Sequence, residues 1–206
     1  MQNIKHTSQG FTIVELMVAM VIISALLFSI AVLTDSVRKN QQQTWENYIK
    51  VDEANTAVRT FTRELRTARD GNNGAYLLAE AGDNQISFYS DIDFDGQTEK
   101  VRYYLSGTEF YKGTIEPTGY PVTYPSANEI VKLISANIRN GSQPPFYYFN
   151  SDWPKDTINN PLIPKKRISD TRLVRIYLRL NTQENQPEKD YVLENYVQIR
   201  MLKDNL

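Results

Sequence analysis

The chain has 206 residues, 23 Lys/Arg against 24 Asp/Glu, a formal net charge of -1 and no cysteine. Near-neutrality removes the electrostatic case for a nucleic-acid partner, and the longest basic run is only Lys165-Lys166-Arg167. Without Cys there is neither a disulfide framework nor a thiolate metal site, so stability must come from a packed core, for which 13 Tyr, 8 Phe and 2 Trp supply large apolar surfaces.

The polar stretch Met1 to Gly10, with Lys5 as its positive charge, precedes a span of 23 residues, Phe11 to Leu33, whose one charged residue is Glu15. At about 1.5 Å per residue the span can cross a hydrocarbon core of roughly 30 Å. A carboxylate inside it costs on the order of 2 to 4 kcal/mol on insertion scales, so it is expected only beside a partner or near an interface. Two ordinary readings compete here: a cleaved secretory signal, and a plain anchor with Glu15 resting among headgroups. A secretory signal has an apolar core of roughly 7 to 15 residues ending at a small-residue cleavage site, whereas this core is longer and runs on into polar helix. A plain anchor gives Glu15 no role.

These residues resemble the type IV pilin-like proteins that carry a class III (prepilin) signal. The resemblance implies that residues 1–10 are a leader, that a prepilin peptidase cuts between Gly10 and Phe11, and that Phe11 becomes an N-methylated terminus. It also implies that Glu15, fifth in the mature chain, neutralises the terminal amine of a neighbouring subunit and sets axial register during assembly. A buried acid and a buried ammonium are each costly alone and tolerable together. The fold implied is α+β, the pilin fold: a long N-terminal helix, membrane-spanning over 11–34 and amphipathic over 35–70, packed on an antiparallel β head of 71–206. The implied partners are the prepilin peptidase, other major and minor pilins or pseudopilins, an inner-membrane assembly platform and membrane lipid. The implied location is the bacterial inner membrane, single-pass with the head in the periplasm, and then a pilus or pseudopilus. Major pilins of this class carry Pro near the twenty-second mature position and a C-terminal disulfide loop; here Val32 stands at that position and Cys is absent. Both departures lean towards a minor pilin or a pseudopilin.

From Asp35 onward the helix continues, since no Pro or Gly follows until Gly71. Trp45, Tyr48, Val51, Ala54, Val58, Phe61, Leu65 and Ala68 recur at steps of three or four and define one apolar stripe. The stripe predicts docking onto a sheet, with a coiled coil as the competing reading. The stop is expected near Asp70, where Gly71 suits a left-handed cap and Arg66 and Arg69 face the negative helix end. A helix from Phe11 to Asp70 would be roughly 90 Å long.

Beyond Gly74 the pattern alternates. Gln85–Ser90 and Glu99–Leu105 are predicted strands of a hairpin across the acidic turn Asp91 to Gly96, and Thr108–Lys112 adds a third. Ile130, Leu133, Ile134 and Ile138 have helical spacing and predict a short helix within 128–140, with a strand followed by a turn as the competing reading. Residues 141–164 hold five of the nine prolines and predict a loop-rich insertion around Phe146–Phe149 and Trp153, with the aromatic cluster expected in the core rather than as a binding surface. Arg172–Leu180 alternates, placing Val174, Ile176, Leu178 and Leu180 on one face, and pairs with Tyr191–Leu202 across the polar segment 181–190. This order resembles the W-type minor pilins and the J-type pseudopilins of type II secretion, which implies a place in a tip complex that primes assembly.

The acidic turn reproduces the first half of a calcium loop: Asp91, Asp93 and Asp95 alternate before Gly96, so that carboxylates can converge on a hard cation. The second half departs from that pattern, because the twelfth position is Arg102 rather than Glu and Glu99 is the acid left to contribute. The competing reading is a plain hairpin turn, for which Asp and Gly are favoured in their own right. No nucleophile motif or phosphate loop is present, and the one His lies in the leader, so assembly rather than catalysis is expected. A tip adhesin or other binding module on a pilin stem is a third reading of the head.

Overall fold

A computed structural model describes residues 10, 12–181 and 190–202 of the chain. The leader residues 1–9, Phe11 and most of the polar segment 181–190 therefore lie outside the described residues. The chain divides into two compact units, 1–46 and 47–206, and the helix α1 (Ile13–Arg66) contributes to both.

Within the first unit the large apolar side chains from Ile13 to Leu33 are all more than half exposed. None of the described residues covers them, and this is the one described helix long and apolar enough to cross a membrane.

In the second unit, α1 packs on a head of antiparallel strands. Strands β1 (Leu78–Ala81), β2 (Gln85–Ser90), β3 (Glu99–Ser106), β4 (Glu109–Ile115) and β5 (Ile130–Ser135) form a five-stranded meander in chain order. After them, β6 (Phe146–Phe149), β7 (Leu173–Leu180) and β8 (Tyr191–Gln198) form a second, three-stranded sheet, with the short helix α2 (Arg167–Asp170) before β7. The segment 137–140 joins the two sheets: Ile138 N donates to Thr108 O at 2.9 Å on one side, and Arg139 N donates to Arg179 O at 2.6 Å on the other. The α+β pilin-like fold is thus present, with two sheets where one was expected.

Both sheets bury their apolar faces against the same stretch of helix. Ala54, Ala57, Val58, Phe61 and Leu65 are buried on α1, and Phe61 sits where the sheets converge. Its ring lies 5.1 Å from Tyr103 and 6.3 Å from Phe88 of the larger sheet, and 5.6 Å from Phe146 of the smaller one. The alternation in β7 is realised fully: Val174, Ile176, Leu178 and Leu180 are all 0% exposed. One polar residue shares the buried stripe. Glu64 accepts from Tyr103 Oη at 2.7 Å and pairs with Lys112 Nζ at 2.6 Å, while its backbone carbonyl accepts from Ser90 Oγ at 3.0 Å. The carboxylate beside it and burial both hold the Tyr103 hydroxyl well above the usual phenol range, burial being the larger cause.

Several expectations need correction. The short helix expected within 128–140 is strand β5, preceded by a 3-10 turn at Ser126–Asn128. β4 offers an open edge there, and pairing from Thr114↔Ile130 to Phe110↔Ser135 satisfies the backbone that the helix would have satisfied internally. As an edge strand it leaves Ile130, Val131 and Leu133 exposed, so helical spacing of these residues carried no burial signal. The insertion 141–164 contains β6, which pairs with β7 and buries Phe146, Tyr148 and Phe149. β1 was not foreseen. The helix ends at Arg66 rather than Asp70, because Arg69 N donates to Tyr89 O at 3.0 Å and draws the chain onto β2. Finally, Trp45 and Tyr48 are exposed, so the buried stripe begins only at Ala54.

Phe61→Ala should remove the shared contact between helix and both sheets. Its cost is expected at about 3 to 5 kcal/mol, read as a lowered urea midpoint of the head's near-ultraviolet circular dichroism; a midpoint unchanged from wild type would contradict this packing.

Candidate functional site

Two groups of residues carry chemistry: the start of α1 and the β2–β3 turn. At the first, Thr12 is the residue before the helix and Glu15 lies in its first turn. Thr12 N donates to Glu15 Oε2 at 2.9 Å, and Thr12 Oγ1 donates to the same oxygen at 3.0 Å. The Thr12 Oγ1 atom in turn accepts from Glu15 N at 3.2 Å. This is a reciprocal capping box, Thr-x-x-Glu, in which two backbone donors left over at the helix start each find an acceptor. The sequence signal for it, Thr12 followed three residues later by Glu15, was open to reading and was overlooked in favour of an intermolecular partner. Glu15 is exposed, and Oε1 takes no part in the cap. Gly10 is exposed as well, and a Cβ placed there would meet nothing within 4 Å. Among the described residues nothing would obstruct a side chain at position 10.

At the second group, the β2–β3 register fixes the turn: Ser90 opposes Glu99, and residues 91–98 bridge them. Phe94 and Gly96 adopt positive φ of 66° and 92°, the bend for which Gly96 is suited. Asp93 Oδ1 accepts from Asp95 N and Asp95 Oδ1 from Gln97 N, ordinary Asx turns at 3.2 and 2.7 Å. Asp91 and Glu99 behave differently. Asp91 Oδ2 accepts from Arg69 Nη2 at 3.0 Å and from Gly96 N at 3.2 Å, and Glu99 Oε2 accepts from Ile92 N at 2.8 Å. Their second oxygens, Asp91 Oδ1 and Glu99 Oε1, are buried and accept no hydrogen bond from the described residues. Asp91, Asp93 and Glu99 each present a carboxylate oxygen within 4.8 Å of the others. Asp95, the fourth acid expected there, stands outside this close group and gives its second oxygen to Gln97 Nε2 at 3.5 Å.

Burial raises the Glu99 carboxyl above its ordinary range; the Ile92 hydrogen bond opposes this, and the charges of Glu116 and Asp93 add to it. Glu116, at the end of β4, is raised in the same way by burial and then by Asp93 and Asp95. The acids therefore crowd one another. Arg102, which stands at the twelfth position where a calcium loop has Glu, is engaged elsewhere: it opposes Ser87 in the ladder and makes a bidentate pair with Glu129, at 2.8 and 2.7 Å, while lying over the Tyr104 ring.

Residues 5–31 match the family of the prokaryotic N-terminal methylation motif. The chain carries a class III prepilin-type signal. Its match covers residues 5–10 of the expected leader, Phe11, the capping box and most of the apolar span, and stops short of the head. A signal of this class is one that a prepilin peptidase processes, and the helix behind it is long and apolar enough to anchor the chain in a membrane. No curated protein matches the chain.

Thr12→Ala should remove the side-chain half of the capping box at about 1 kcal/mol. Amide exchange over residues 13–16 of the full chain in detergent is expected to quicken roughly fivefold by that figure, and unchanged exchange would show that the box does not hold the helix start.

Proposed function

We propose that the chain is a minor pilin of a type IV pilus: a non-enzymatic structural subunit, inserted in the inner membrane with its head in the periplasm, that helps to initiate filament assembly from the tip. The observation that carries this reading is the prepilin-type signal over residues 5–31, joined to an apolar half-helix that the chain itself leaves uncovered and to an α+β head. In a bilayer that half-helix is solvated by lipid; in a filament the same surface can pack against the spans of other subunits, exchanging lipid for protein at little hydrophobic cost.

Glu15 is the group that gives the exchange a direction. Once the cut after Gly10 exposes the Phe11 amine, that ammonium and the Glu15 carboxylate are costly in an apolar bundle unless each meets an opposite charge. The capping box leaves Glu15 Oε1 aside from Thr12, so one carboxylate can close its own helix and meet a neighbour's terminus. Val32 in place of Pro, and a Cys-free head, support a minor rather than a major subunit, and they suit a type II secretion pseudopilin as well.

When the full chain is coexpressed with a prepilin peptidase, N-terminal sequencing and intact mass should show N-methyl-Phe11 as the first residue. Gly10→Leu, which the fold tolerates, should accumulate as uncut membrane protein; normal cleavage of that variant would overturn the assignment. Glu15→Val should be cut normally yet fall at least tenfold in recovery from sheared pili, whereas equal recovery would remove the pairing role. Depletion that abolished protein secretion while leaving pilus number unchanged would transfer the subunit to the secretion filament.

A further inference from the structure

We propose that the β2–β3 turn is a calcium site, with Asp91 and Glu99 as its inner ligands and Asp93 as its outer one. The oxygens left over after the turn has satisfied itself carry the inference. Asp93 and Asp95 use carboxylate oxygens to cap nearby backbone N–H groups, as any hairpin turn can. Asp91 and Glu99 each have one oxygen fixed by donors of this chain and the other buried without a donor. Glu99 is 0% exposed, so its Oε1 has no recourse to bulk solvent. A buried carboxylate oxygen without a partner is among the most costly groups a fold can hold, and Asp91 and Glu99, which hold one each, also bring a carboxylate oxygen within 4.8 Å of each other's and of Asp93's, an arrangement that a cation would satisfy.

The chemistry of the donors selects the cation. The set is all oxygen, which suits hard ions and disfavours zinc or copper. The turn is irregular, with two residues at positive φ, and calcium accepts six to eight oxygens in flexible geometry, carbonyls and water included, where magnesium demands a near-octahedral shell. Charge agrees. Asp91, Asp93, Asp95, Glu99 and Glu116 gather about the turn, and Arg69, which donates to Asp91 Oδ2 and not to the orphaned Oδ1, offsets a single charge. Arg102, the cation that sequence position would place in opposition, is held by Glu129. The fixed oxygens do for the site what supporting hydrogen bonds do in metal centres generally: they orient the ligands before the ion arrives.

The inference is independent of the filament reading, since binding is measured on the isolated chain. Full-length protein in detergent, freed of divalent ions by a chelator, is titrated with calcium chloride in a calorimeter. We expect one calcium per chain with a dissociation constant on the order of 10⁻⁴ M, in the range of extracellular modules, and a higher thermal midpoint with calcium present. Glu99→Gln, which keeps an acceptor for Ile92 N, and Asp93→Asn, at an exposed position, should each weaken binding at least tenfold. Neither heat nor a thermal shift at calcium concentrations of about 10 mM, far above that constant, would overturn the proposal, as would tighter binding of magnesium or unchanged affinity in both variants. Should Glu99→Gln fail to fold by circular dichroism, Asp93→Asn decides alone: weakened binding supports the site and unchanged binding removes it.

Discussion

The head depends on one shared surface, the buried face of α1 between Ala54 and Leu65. Each sheet has one apolar face, and neither could bury it against water. Phe61 is the point where the two needs meet, with Phe88 and Tyr103 on one side and Phe146 on the other. Ala54 and Ala57, two turns and one turn before it, are buried on the same face. Without a disulfide anywhere in the chain, this three-layer contact and its aromatic rings carry the cohesion that cross-links supply in many exported domains.

The start of α1 faces a different constraint. None of the described residues covers its apolar side chains, so in an apolar surrounding the helix must be self-sufficient in hydrogen bonding. The capping box fits that need, because an uncapped N–H at the edge of a membrane is expensive. Glu15 is therefore no isolated oddity in an apolar span. It is the far half of a local motif whose near half is Thr12.

How much of this could be read from sequence followed from which side chains meet water. β3 and β7 were legible because both sit where alternation and burial coincide: Val101 and Tyr103 of β3 and all four inward residues of β7 are fully buried. β5 was not, since an edge strand with Ile130 exposed obeys no facing rule, and its apolar residues happened to fall at helical steps. The helix end was misplaced by four residues because its stop is a tertiary event, the capture of Arg69 by Tyr89, while the glycine cluster beyond it is only permissive. In the acidic turn the residue types were visible, but the division of labour among them was not. Only the ladder register shows that Arg102 faces Ser87 and Glu129, and that Glu99 rather than Asp95 closes the group.

Glu64 stands in that buried stripe for a reason that packing alone does not supply. Apolar faces slide: a helix moved by one turn, about 5.4 Å, presents much the same greasy surface to a sheet. Glu64 forbids the move, since its carboxylate meets Tyr103 and Lys112 at one axial setting and would be left bare at the next. It works as an indexing pin. A load along this stretch of α1 therefore meets a ratchet tooth as well as a greased face, and the sheets keep one axial setting on residues 54–65.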